Sequence, residues 1–176
     1  MGTRLSVRSD VRAISDDLVA IRRDLHQHPE VSWKEHRTQR VILDHLKAPG
    51  ISDVRPVAQT GVTALIEGKH RSPALLWRAD IDALPVPEKS GVDYASTIPN
   101  VMHACGHDAH IAIALGIARL LAARRSPLKS SVRFIFQPAE EAEGGAEACV
   151  ADGILEAPRI ERVLGLHVSA DIPLGD

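Results

Sequence analysis

The stretch from Asp108 to Arg125 constrains the fold more than any other. Within it, Ile111 to Ala123 is an apolar run whose only charged residue is Arg119. That run is too short to cross a bilayer, which takes about 20 apolar residues. Read as a helix opening at His107 or Asp108, the stretch is apolar nearly all round and must be buried on more than one side. A helix of this kind needs other elements stacked against it.

The rest of the chain supplies candidates for those elements. Ile14, Leu18, Ile21 and Leu25 fall at helical spacing and predict a helix over about 11–27, stopped by Pro29. Ser32-Trp-Lys-Glu35 has a capping-box pattern and predicts a second helix running to about Lys47, before Pro49-Gly50. Val62–Ile66 and Ala74–Ala79 are short apolar runs that read as strands. A third strand is expected at Ser131–Gln137, where Val132, Phe134 and Phe136 alternate with Arg133 and Ile135. Gly144–Gly153 reads as a short helix ended by glycine, and Val163–Val168 as a last buried strand. Helices alternating with apolar strands predict an α/β domain. Asp82–Met102 has three prolines and no periodicity, and a loop that long is functional or mobile.

With 176 residues, 44% of them hydrophobic, the chain can bury a single core. A net charge of −2 with no basic stripe argues against nucleic acid as a partner. The first ten residues lack an apolar leader segment, and no stretch predicts a membrane partner, so a cytoplasmic setting is expected. Two cysteines 44 residues apart make no disulfide framework, which leaves metal binding or catalysis as their expected use.

The octet His103-Ala-Cys-Gly-His-Asp-Ala-His110 concentrates the ligand-type chemistry at the start of the buried helix. A thiolate and an imidazole two residues apart, Cys105 and His107, suit a metal of borderline softness such as zinc. Asp80 and Asp82 follow one predicted strand, Glu140 and Glu141 follow the next, and His167 closes the last. Taken singly these residues have ordinary readings: turn chemistry, a solvated acidic pair, a hydrogen-bonded core histidine, a buried cysteine beside a helix start. Placed together at the carboxyl ends of strands, where open α/β sheets bind ligands, they argue for a metal centre. The positive end of the helix dipole is expected to favour the Cys105 thiolate. His26 and His28 read as residues suited to the negative end of the first helix. His110, one turn beyond His107, is placed beside the site without being counted as a ligand.

These residues resemble the M20 metallopeptidase and amidohydrolase family, in its aminoacylase, hippurate hydrolase and auxin-conjugate hydrolase branch. The matching stretches are Arg-Arg-Asp-Leu-His-Gln-His-Pro-Glu (22–30), Arg-Ala-Asp-Ile-Asp-Ala-Leu-Pro (78–85) and Met-His-Ala-Cys-Gly-His-Asp-Ala-His (102–110). Phe-Ile-Phe-Gln-Pro-Ala-Glu-Glu (134–141), Gly-Gly-Ala (144–146) and Gly-Leu-His-Val (165–168) follow in the family's order. The resemblance implies a three-layer, zinc-peptidase-like catalytic domain with a mostly parallel or mixed sheet flanked by helices. It implies two divalent metal ions (zinc, manganese, cobalt or nickel) held by Cys105, His107, Glu141 and His167, with Cys105 bridging. Glu140 matches the general base, and Asp80 and Asp82 the aspartates that support the centre. Adjacent glutamates suit this split if the segment is extended, because neighbouring side chains then point different ways. The implied substrate is a small N-acyl or N-aroyl amino acid.

The family continues beyond Asp176 into a lid or dimerisation domain, with a Gly-Gly-His segment, and then into a catalytic segment bearing a final histidine ligand. Residues 1–176 therefore read as the N-terminal part of the catalytic domain, poorly active by itself, from a protein able to form a homodimer through the domain it lacks. The competing expectations are a non-catalytic remnant or metal-binding module of the same fold, and a plain α/β interaction domain.

Overall fold

The computed structural model describes residues 7–172. In chain order the elements are α1 (Ser9–Arg12), α2 (Ser15–Gln27), α3 (His36–His45), β1 (Ser52–Val57), β2 (Gly61–Ile66) and β3 (His70–Asp80). They continue with α4 (His107–Ala122), β4 (Ser130–Gln137), α5 (Gly145–Ala151) and β5 (Ile160–Gly165). The strands form one mixed sheet in the order β1-β2-β4-β3-β5. β3 is parallel to both β4 and β5, while β2 is antiparallel to β1 and β4. The carboxyl ends of β3, β4 and β5 therefore share one rim.

Side-chain alternation on β4 explains the layering. Phe134 and Phe136 face the larger core, packed with Leu25, Ile42, Ile111 and Leu115 from α2, α3 and α4. Ile135 faces the opposite side with Leu76, Cys149 and Ile154, beneath α5. Nine of the sixteen residues of α4 are buried, as its apolar circumference demands. Gly116 lets α2 come close: a Cβ there would lie 2.8 Å from a Leu18 methyl.

Several local expectations shift. The first helix breaks at Ala13–Ile14 into α1 and α2. The second begins at His36, and the Ser32–Glu35 pair does not cap it. Glu35 is buried and accepts hydrogen bonds from the Thr60 hydroxyl (2.6 Å) and the Ala139 amide (2.8 Å). Capping passes to Glu30, whose carboxylate takes the amides of Arg37 (3.0 Å) and Thr38 (2.7 Å). The edge strand β1 was not expected, because its mostly exposed residues and Pro56 give no apolar alternation. The last strand starts earlier than Val163 and ends at Gly165, and it is not buried. Residues 161–172 are exposed; among the described residues β5 has β3 as its only strand neighbour.

The long proline-containing segment after β3 is pinned at several points. Ala83 donates its amide to Glu30 C=O (2.9 Å), and Leu84 and Met102 exchange backbone hydrogen bonds. The amide and hydroxyl of Thr97 both donate to Gln27 C=O at the end of α2.

Candidate metal centre

Asp80 ends β3 and Asp82 lies two residues beyond it; both are 1% exposed. Asp82 accepts hydrogen bonds from the Ser32 hydroxyl (2.6 Å) and the Glu141 amide (2.9 Å). Burial raises its pKa, but hydrogen bonds from His107, Ser32 and the amides of Glu141 and Glu140 outweigh that and hold it at about 2. Asp80 is also held below the usual carboxylate range. There the hydrogen bond from His110 and the charges of His107 and Arg78 outweigh burial.

His107 opens α4 and is fully buried. Its Nδ1–H donates to Asp82 C=O (2.9 Å), which leaves Nε2 as the unprotonated nitrogen in the neutral ring. That Nε2 is buried with no hydrogen-bond partner. It faces carboxylate oxygens of Asp80 (3.6 Å), Glu140 (3.8 Å) and Glu141 (3.8 Å). Such a buried, unpaired imidazole nitrogen in a ring of acids fits a cation between them.

Cys105 lies in the turn before α4, its Sγ 3.2 Å from His167 Nε2. His167 donates from Nδ1 to Val168 C=O (2.7 Å), so Nε2 is free to act as an electron-pair donor. Gly106, at φ +86°, allows the turn between Cys105 and His107. Cys105, His107 and His167 offer ligand atoms within 4.8 Å of one another, as do His107, Glu140 and Glu141. The structure thus brings together all seven residues expected at the site, from three strand ends and one helix start.

Two expectations about chemistry are corrected. The helix start does not outweigh the other influences on the Cys105 thiol. Burial, then the nearby Glu141, Glu140 and Asp80, push the Cys105 thiol up to about 11. The two glutamates also do not diverge: both reach His107 Nε2, because the chain turns at Ala139 (φ +49°) instead of running extended. Exposure separates them, with the Glu140 side chain at 37% and that of Glu141 at 21%.

Some supporting residues escaped the sequence reading. His26 lies in the last turn of α2, as expected, but is buried, and it bonds Asp108 through Nδ1 (2.9 Å) and Glu88 through Nε2 (3.1 Å). The hydrogen bond with Asp108 raises its pKa; burial opposes this, and the bond to Glu88 adds to it. Arg22, one turn earlier, also donates to Asp108 (3.1 Å). The available signal was the i, i+4 placement of Arg22 and His26 on one helix face. His103 is buried without a polar partner, burial pushes its pKa down to about 4, and it belongs to none of the ligand groups formed around His107. Beside Glu140 a cleft of about 720 Å³ opens between Arg78, Gln137 and residues 142–147, the turn into α5 and its first residues.

Fold and site together define an α/β domain with a thiol, imidazole and carboxylate cluster suited to divalent metal. The profile of peptidase family M20/M25/M40 matches residues 76–176, and the chain belongs to that family. It is 47% identical over 167 residues to N-acetyl-L-cysteine deacetylase of Bacillus subtilis, covering 94% of this chain and 39% of that protein. It is 42% identical over 160 residues to IAA-amino acid hydrolase ILR1-like 5 of Arabidopsis thaliana, covering 91% of this chain and 36% of that protein. A solved Bacillus subtilis structure, described as a dinuclear metal binding peptidase from the M20 family, superposes with a TM-score of 0.86 at 43% identity. That match covers 93% of this chain and 46% of the other. The chain thus spans less than half the length of these relatives. Among the described residues no helix is long and apolar enough to cross a membrane.

Proposed function

We propose that this chain carries most of the metal ligands and the general base of an amidohydrolase acting on N-acyl amino acids. The observation that carries the reading is the buried, unpartnered His107 Nε2, faced by Glu140 and Glu141 beside the Cys105–His167 pair. Cys105, His107, Glu141 and His167 would hold the divalent ions. Such ions lower the pKa of water and polarise an amide carbonyl.

The chain's own residues divide the remaining work. Asp82 C=O fixes the tautomer and direction of His107, as partners of metal-binding histidines commonly do. The same aspartate holds the Glu141 amide, which ties the acidic pair to the end of β3. Glu140, the more exposed of the pair, takes a proton from the attacking water and returns it to the leaving amine. The cleft beside it gives the amide substrate room to approach. The names of the relatives support an N-acetyl or related acyl group on an amino acid. Two free thiols suit a cytoplasmic setting.

Because the chain spans 39% of N-acetyl-L-cysteine deacetylase, weak turnover is expected of residues 1–176 and full turnover of a longer form with a further histidine ligand. The test is acetate release from N-acetyl-L-cysteine and other N-acetyl amino acids, with and without chelator. Metal-dependent release abolished by E140Q is expected. Release that survives chelation contradicts the mechanism, and metal uptake without hydrolysis in either form favours a non-catalytic metal-binding module.

A further inference from the structure

We propose that His110 is a positioning residue that sets where His167 stands relative to His107. This inference rests on the assignment of His107 and His167 as metal ligands. His110 lies one turn after His107 on α4 and is 2% exposed. Its ring packs against both ligand rings, 5.3 Å from that of His107 and 4.7 Å from that of His167, centroid to centroid, and those two rings are 6.2 Å apart.

Both nitrogens of His110 are engaged. Nε2 accepts the Val168 amide (2.9 Å), which requires that nitrogen to be unprotonated. Nδ1–H in turn donates to Asp80 Oδ1 (2.5 Å). Although Asp80, His107 and His110 lie close enough to form a metal group, His110 has no lone pair left for one. Its role is to transmit position.

What it transmits comes from the middle of the sheet. The second oxygen of Asp80 accepts from Arg78 Nη1 (2.6 Å), and Arg78 Nε donates to Gln137 at the end of β4 (2.9 Å). Adjacent ends of β3 and β4 thus fix the His110 ring. Val168 carries the constraint to the ligand: its amide is held by His110, and its carbonyl takes the Nδ1–H of His167. That orientation leaves His167 Nε2 facing Cys105. The segment needs such a hold, since it follows the exposed edge strand β5 and residues 166–172 are themselves exposed. A second hold is steric: a Cβ on Gly106 would meet a Val168 methyl at 2.5 Å, so Val168 fills the space a side chain would take between Cys105 and His107.

The test uses the 176-residue chain with zinc as the probe. In ¹⁵N spectra of the wild-type protein, His110 is expected as the Nδ1–H tautomer, with an Nε2 signal that does not move when zinc is added. H110A is expected to lose protection of the Val168 amide and to bind zinc about 10- to 100-fold more weakly, the usual size of such effects. H110Q places an acceptor near the Nε2 position and should recover most of that loss. Adding H110A to H167A should cost nothing further, since His110 acts through His167. A His110 Nε2 signal that shifts on zinc binding makes the residue a ligand and overturns the proposal. So does a folded H110Q no better than H110A, or losses that multiply in the double variant. A wild-type chain that takes up no zinc overturns the ligand assignment itself. A zinc-binding chain indifferent to H110A overturns only the positioning role.

Discussion

The inner and outer halves of the site are ordered differently. Asp80, Asp82, His107 and His110 are at most 2% exposed, and most of their polar atoms are matched by hydrogen bonds to strand ends, the Ser32 hydroxyl or backbone amides. Cys105, Glu140, Glu141 and His167 stand at the rim, where acids crowd a thiol and an open imidazole nitrogen. The inner half is positioned by the fold; the outer half gathers carboxylates, a thiol and imidazole nitrogens with fewer partners. The directions of the pKa shifts express this difference. Asp82 is held at about 2 by the donors around it, whereas Cys105 is pushed up to about 11 by burial and neighbouring carboxylates.

The difference can be broken or sharpened by substitution. His107 belongs to both halves, so H107A carries the largest expected effect. It should weaken zinc binding by roughly 1,000-fold or more and, by leaving buried acceptors unpaired, lower the stability of the metal-free chain by about 3 kcal/mol. Calorimetric titration and urea unfolding measure the two losses. E140Q should lower hydrolysis by about 100- to 10,000-fold while zinc affinity stays within a few-fold, which separates the base from the ligands. At the rim, H167A and E141A should each weaken zinc binding by about 100-fold, yet leave metal-free stability within about 0.5 kcal/mol, as expected for exposed side chains. A large stability loss in either would place that residue in the inner half.

A smaller effect concerns the support behind the inner half. His26 has a raised pKa between Asp108 and Glu88, so its charged form is favoured in the folded chain. Its contribution to stability is therefore full below the ordinary histidine value of about 6.5 and is lost as pH rises through the raised folded value. Urea midpoints of the metal-free wild type and H26Q, followed from pH 5 to 9, should differ most at the acid end and converge toward the alkaline end. A gap that widens with pH contradicts the pairing.

The outer half was legible in the sequence and the inner half only partly. Glu140, Glu141 and His167 follow apolar strands, and Cys105-Gly-His107 precedes a helix that is buried on sight. The strand ends therefore announced the rim. The supports did not show because local grammar offered each a nearby use. Ser32 and Glu35 look like a capping box, yet they bond Asp82 and Ala139, 50 and 104 residues away. His26 looks like a helix-end cation, yet it bonds Asp108 and Glu88 across the core. Val163–Val168 was apolar enough to read as buried, but burial depends on what packs against a strand, and β5 lies at the sheet edge.

The central claim is that Cys105 and the open nitrogen of His107 hold a divalent metal. Cobalt(II) titration of the metal-depleted chain near pH 7 tests it most directly. The account predicts a thiolate-to-cobalt charge-transfer absorption and release of at least one proton, because a thiol raised to about 11 is protonated until the metal arrives. The absorption should vanish in C105S. Cobalt binding with no charge-transfer absorption, or with one unchanged in C105S, would contradict it.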